Sequence, residues 1–172
     1  MATRTSIAIV EATEEWGAVI AGNLARDKSH RLLLMSTDPE KLDALVSKLT
    51  KYGGAELEAI SCAMEACWEA DIIVLAVEEE QEEMIMEKIK QVATGKIVIS
   101  ISPRLTDGKG TSSHVLRNTL PFSRLVEIGI VREEEAVKMV ISGEDDEALL
   151  LAKELLDGVE PGGGTKSTAT RA

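Results

Sequence analysis

Aromatic side chains are nearly missing: Trp16, Tyr52, Trp68 and Phe122 are the only four in 172 residues. The core must therefore be assembled from Leu, Ile, Val, Ala and Met. Long apolar runs are missing too, and nothing approaches the ~18 residues of a membrane helix. Residues 1–5 are too short and polar a lead-in to form a signal peptide. These absences imply a cytoplasmic protein with no membrane partner. Cysteine is limited to Cys62 and Cys67, five apart on an expected helix and far from any histidine. That pattern excludes a disulfide framework and argues against a metal site; both read as buried small apolar residues. Basic residues are outnumbered, 19 against 30 acids, for a net charge of −11. Nucleic-acid and anionic-membrane binding need a basic surface and are excluded as general roles. There is no Ser-His-Asp set, P-loop, paired-histidine motif or zinc spacing, so no catalytic residue is assigned.

What is present is an alternation of strands and helices. Ser6-Ile7-Ala8-Ile9-Val10, Arg31-Leu32-Leu33-Leu34-Met35-Ser36, Asp71-Ile72-Ile73-Val74-Leu75-Ala76-Val77 and Lys96-Ile97-Val98-Ile99-Ser100-Ile101 are continuous apolar runs. Strands covered on both faces have this composition. A weaker strand is expected at 57–60. Helices are expected at 18–25, at 39–52 with Asp38 as N-cap and Pro39 at the first position, at 62–69, and at 79–93. In the last of these Met84, Ile85, Ile89 and Val92 face inward. After a loop at 102–114 come a brief helix to Thr119, two strands at 124–131 and 137–142, and a helix at 144–156 with Leu149, Leu150, Ala152 and Leu155 as its apolar side. The fold class is α/β: a doubly wound, mostly parallel sheet in three α/β/α layers, Rossmann-like. One domain fills 1–160, and 161–172 form a Gly/Ser/Thr-rich tail or an edge strand. Ligands in such folds bind at the carboxyl ends of the strands, which here begin near Glu11, Ser36, Val77 and Ser102.

The first of these ends is unusual. A dinucleotide-binding unit has G-x-G-x-x-G between its first strand and helix. Here the segment is Glu11-Ala12-Thr13-Glu14-Glu15-Trp16-Gly17. Ala12 takes the first glycine position, Glu14 the second, and Gly17 remains as the third. A carboxylate ~5 Å from a phosphate charge costs about 3 kcal/mol at an effective dielectric near 20.

The motifs Ile7-Ala8-Ile9-Val10 with Thr13 and Gly17, Ser36-Thr37-Asp38-Pro39-Glu40-Lys41, Ala70-Asp71-Ile72-Ile73-Val74-Leu75-Ala76-Val77, Lys96-Ile97-Val98-Ile99-Ser100 and Ser142-Gly143-Glu144-Asp145-Asp146 together resemble a known family. It is the N-terminal domain of coenzyme F420-dependent NADP oxidoreductases, with pyrroline-5-carboxylate reductases and prephenate dehydrogenases similar in fold. The resemblance runs from about Ser6 to about Glu160. It implies an NADP site in which Thr13 and Gly17 meet the pyrophosphate, Ser36, Thr37 and Lys41 lie at the 2′-phosphate, and Val77 leads to the nicotinamide side. Thr37 stands where the family has arginine. F420 enters by resemblance alone. The family's enzymes continue into a helical segment that helps form the dimer and the F420-facing cleft, and this sequence ends before it.

Two functions stay open. One is an NADP-dependent oxidoreductase domain, transferring hydride, with cofactor binding weakened or lost. The other is a non-catalytic interaction or regulatory domain that keeps the fold. A small molecule or nucleotide is the expected ligand, and a homodimer is an open arrangement. Glu11, Glu14 and Glu15 read either as helix-start acids favoured by the dipole or as an internal substitute for phosphate; a cationic or metal ligand is a third reading. Glu78-Glu79-Glu80-Gln81-Glu82-Glu83 reads as a solvated helix start. Trp16 either plugs the pyrophosphate space or packs under the first helix. Asp38 either caps its helix or accepts from a ribose hydroxyl. His30 is expected exposed, and His114 close to the ligand edge.

Overall fold

The computed structural model describes residues 3–102, 112–159 and 168–169. Its elements in chain order are β1 (Thr5–Val10), α1 (Glu15–Leu24), β2 (His30–Met35), α2 (Pro39–Thr50), β3 (Glu56–Ala59), α3 (Ala63–Glu69), β4 (Ile72–Leu75), α4 (Glu79–Ile89), β5 (Ile97–Ser102), α5 (Ser112–Thr119), β6 (Arg124–Glu133), β7 (Ala136–Gly143), α6 (Asp146–Leu156) and β8 (Thr168–Ala169). The strands form one sheet in the order β3-β2-β1-β4-β5-β6-β7-β8. The first six run parallel, β7 returns antiparallel to β6, and the two-residue β8 pairs parallel with β7.

The apolar runs have a direct physical cause. Side chains alternate faces along a strand, and here both faces are covered. Ile7 and Ile9 of β1, Leu32 and Leu34 of β2, and Ile72 and Val74 of β4 enter one core with α1, α2 and α6. Ala8 and Val10, Leu33 and Met35, and Ile73 and Leu75 enter the other, with α3, α4 and α5. No polar position is needed in either register, so the strands read as unbroken hydrophobic stretches. The result is the doubly wound, three-layer α/β/α sheet of Rossmann type.

Helix phase differs from the expected pattern in two places. In α4 the inward stripe is Ile85, Met86 and Ile89, while Met84 is 54 % exposed. In α6 it is Ala148, Leu149, Ala152, Leu155 and Leu156, and Leu150 is exposed. One residue along a helix turns ~100°, so a hydrophobic residue beside the stripe lands in water. Cys62 is exposed just ahead of α3, and only Cys67 is buried. Burial pushes the Cys67 thiol up to about 12, which makes it inert. His30 is half-buried, not exposed; its Nδ1 lies 3.2 Å from the Leu24 carbonyl. Of the expected loop at 102–114, Ser102 instead ends β5 and residues 112–114 already belong to α5. Residues 103–111, the His114 side chain and the 160/161 boundary lie outside the described residues.

Among the described residues no helix is long and apolar enough to cross a membrane. No group of three or more His, Cys, Asp or Glu could hold a metal ion among them either.

Candidate functional site

Strand order reverses at β1. The chain steps from β1 to β2 and β3 on one side, then crosses to β4 on the other. Such a switch point leaves a crevice at the carboxyl ends of the strands. The segments meeting there are the β1–α1 loop, the β2–α2 loop and the stretch after β4.

The β1–α1 loop turns at Glu11, whose φ of 60° is the sole positive value at a non-glycine among the described residues. The template places a glycine at Ala12, but the left-handed turn falls one residue earlier. Glu11 is 3 % exposed. Its carboxylate accepts from the Thr37 amide (3.2 Å, Oε1) and from the Thr37 hydroxyl (3.3 Å, Oε2). Burial raises the Glu11 pKa; the bonds from Thr37 pull it back, and the charge of Glu14 adds to the rise. Thr13 and Ser36 make a second link, their hydroxyls 2.6 Å apart. Ser36 Oγ also accepts the Asp38 amide at 3.1 Å, and Ala12 N donates to the Met35 carbonyl at 2.9 Å. The two loops are thus joined to each other.

Gly17 is required by this packing. A Cβ at that position would lie 2.4 Å from the Glu11 carbonyl oxygen and 2.9 Å from Ala12 Cα. The third glycine of the template is retained for close approach of helix and loop. Glu14 is the N-cap of α1 and makes no side-chain capping bond, and Glu15 begins the helix. Glu11 lies ahead of the helix, at the end of the strand, so only two of the three acids flank the helix start. Glu15 instead accepts from Arg132 Nη2 at 2.9 Å, an exposed contact from the end of β6. Trp16 is buried in the core beside Ile20 and Leu24, which matches packing under α1; its Nε1 has no hydrogen-bond partner among the described residues.

The other expected site residues are placed differently. Asp38 caps α2 by accepting the Lys41 amide at 3.1 Å. The Lys41 ammonium is exposed, 3.9 Å from Asp38 Oδ2. Val77 is buried in the core of the α3–α4–α5 face. Glu78 is the N-cap of α4 without a side-chain cap bond. The acid run is not all solvated: Glu82 is 7 % exposed, and its carboxylate accepts the buried Ser100 hydroxyl. Thr13, Ser36, Thr37 and Gly17 therefore lie around Glu11, whereas Lys41 stands exposed beside Asp38 and Val77 is in the core of the other face. Sequence reasoning took Glu11 only as one of three acids, at the helix start or standing in for phosphate, and missed its pairing with Thr37. The available signal was an acid at the strand end, one residue ahead of the expected glycine.

A mostly parallel sheet with a switch point at β1, a glycine-packed β1–α1 turn and a serine-threonine loop after β2 defines the class: a Rossmann-like α/β fold. Residues 6–104 match the family described as NADP oxidoreductase, coenzyme F420-dependent. The chain belongs to that family. No curated protein matches. Solved structures similar in fold include a pyrroline-5-carboxylate reductase from Coxiella burnetii, at 18 % identity and TM-score 0.70, over 99 % of this chain and 60 % of that one. A 3-hydroxyisobutyrate dehydrogenase from Mycobacterium tuberculosis aligns at 17 % identity and TM-score 0.73, over 99 % of this chain and 55 % of that one. A Plasmodium falciparum pyrroline carboxylate reductase with NADP bound aligns at 14 % identity and TM-score 0.63, over 96 % of this chain and 57 % of that one. The chain thus spans a little over half the length of these structures.

Proposed function

We propose that this chain is an NADP-oxidoreductase-type domain whose grip on a dinucleotide is weakened or lost. The observation that carries the reading is Glu14 at the N-cap of α1 with no capping bond of its own. A Rossmann domain seats the pyrophosphate on these opening amides, so a carboxylate there competes with the ligand's charge. With the cofactor bound, hydride transfer is supplied by the nicotinamide. The chain's share is binding and orientation, Thr13 and Gly17 at the pyrophosphate turn and Ser36, Thr37 and Lys41 beyond it. F420 as hydride partner rests on the family alone. A cytoplasmic setting fits, because the exposed free thiol of Cys62 stays reduced there.

Isothermal titration with NADPH and NADH tests the reading. The expected result is weak or undetectable heat for the wild type and a gain on Glu14→Gly, by on the order of a hundredfold if the full ~3 kcal/mol of repulsion is relieved. Tight binding by the wild type would overturn the weakened-site claim.

A second reading, a non-catalytic interaction domain that pairs two copies, is favoured by the opposite edge. Trp68 and Phe122 are 71 % and 75 % exposed. Their carbonyls accept from Lys96 Nζ and Gly95 N, so both flank one turn. Sedimentation of wild type and Trp68→Ala separates the readings: a dimer lost on truncation supports pairing, and a monomer in both removes it.

A further inference from the structure

The opening of α2 presents two donors side by side, the Thr37 amide and the Thr37 hydroxyl, and each is aimed at a different oxygen of one carboxylate. That carboxylate belongs to the protein. It comes from Glu11 at the end of β1, is almost wholly buried, and reaches the end of the neighbouring strand β2. In NAD-binding Rossmann units an acid near the end of the second strand receives the ribose 2′-hydroxyl, whereas 2′-phosphate binders place a cation there. Here neither Ser36 nor Thr37 is an acid or a cation. Asp38 is engaged in capping α2 through the Lys41 amide, and the nearest cation, the exposed Lys41 ammonium, lies 3.9 Å from Asp38 Oδ2. The acid has been delivered from the adjacent strand.

We propose that Glu11 determines ligand specificity at this edge by occupying the anion position formed by Thr37. A 2′-phosphate is then rejected, and a ribose with a free 2′-hydroxyl is the sugar the edge accepts. This rests on the nucleotide reading above for its ligand class, while the occupied anion position stands on the Glu11–Thr37 geometry. A second anion seeking the Thr37 amide would approach to within ~5 Å of Glu11, a repulsion on the order of a hundredfold in affinity.

The test uses adenosine 2′-monophosphate and inorganic phosphate, with adenosine 5′-monophosphate as the control, read by amide NMR at Thr37. In the wild type the Thr37 amide stays unmoved by millimolar 2′-monophosphate or phosphate. Glu11→Gly suits the backbone at φ 60° and should admit 2′-monophosphate with roughly hundredfold gain. Glu11→Gln, which retains an acceptor for Thr37 but loses the charge, should gain less. Movement of the wild-type Thr37 amide by 2′-monophosphate, comparable with that in Glu11→Gly, would sink the proposal. So would a folded Glu11→Gly with no gain. Failure of the nucleotide reading looks different: no dinucleotide binds wild type or Glu14→Gly, yet Glu11→Gly takes phosphate at Thr37, and the anion assignment stands.

Discussion

The hydroxyls of Thr13 and Ser36 lie 2.6 Å apart and tie the loop after β1 to the loop after β2. With Ser36 Oγ also accepting from Asp38 N, the link continues into the first turn of α2. The two loops at this edge of the sheet are therefore held to each other by side chains.

Thr13→Ala and Ser36→Ala should each destabilise the fold by about 1 kcal/mol. The double variant should lose less than the sum, because both changes remove the same bond. Urea midpoints at constant slope provide the measurement, and strict additivity would mean that the two hydroxyls do not interact.

Two glycines of α1 should respond in opposite directions. Gly17→Ala forces a Cβ against the Glu11 carbonyl and should cost about 1–3 kcal/mol. Gly22→Ala meets nothing within 4 Å and should stabilise by up to about 1 kcal/mol, from helix propensity. Thermal melts of both variants decide this, and equal shifts would refute the packing role of Gly17.

Acid titration should separate two carboxylates by sign. Arg124 grips Asp145 through Nε at 2.5 Å and Nη2 at 2.9 Å, which with the Ala148 amide lowers the Asp145 pKa from 3.8 to about 2. A depressed folded value means stability present above pH ~4 and lost toward pH ~2. Asp145→Asn should abolish that loss. Glu11 is shifted upward, so its contribution is greatest below the ordinary glutamate range and declines as pH rises through its folded value. The pH dependence of unfolding in wild type, Asp145→Asn and Glu11→Gln measures both, and slopes of the same sign would contradict the assignment.

Lys96 caps the end of α3. Its ammonium donates to the Cys67 carbonyl at 2.6 Å and the Trp68 carbonyl at 2.7 Å. Lys96→Met keeps the aliphatic stem and removes both bonds, for an expected loss of about 1–2 kcal/mol. Faster hydrogen exchange of the last amides of α3 would accompany it, and unchanged protection would show that the cap contributes nothing.

Much of this architecture was legible in one dimension. Four unbroken aliphatic runs, each followed by a helical segment, require strands covered on both faces, and that requirement alone selects a parallel sheet between two helical layers. Asp38-Pro39 marked the start of α2, and the cap geometry is the one those two residues favour. Gly17 was readable as the retained third glycine of the template, while its packing against the Glu11 carbonyl was not. Amino-acid order also placed Thr13, Ser36 and Thr37 at strand ends that share an edge. What it left open was every relation between residues far apart in the chain. Helix phase went astray at Met84 and Leu150 because a hydrophobic side chain beside the buried stripe looks the same in sequence as one within it. Glu11 was legible as an acid at a turn. Only the pairing of β1 with β2 brings its carboxylate to Thr37, 26 residues on, because register between strands sets which loop ends meet, and local composition does not encode it.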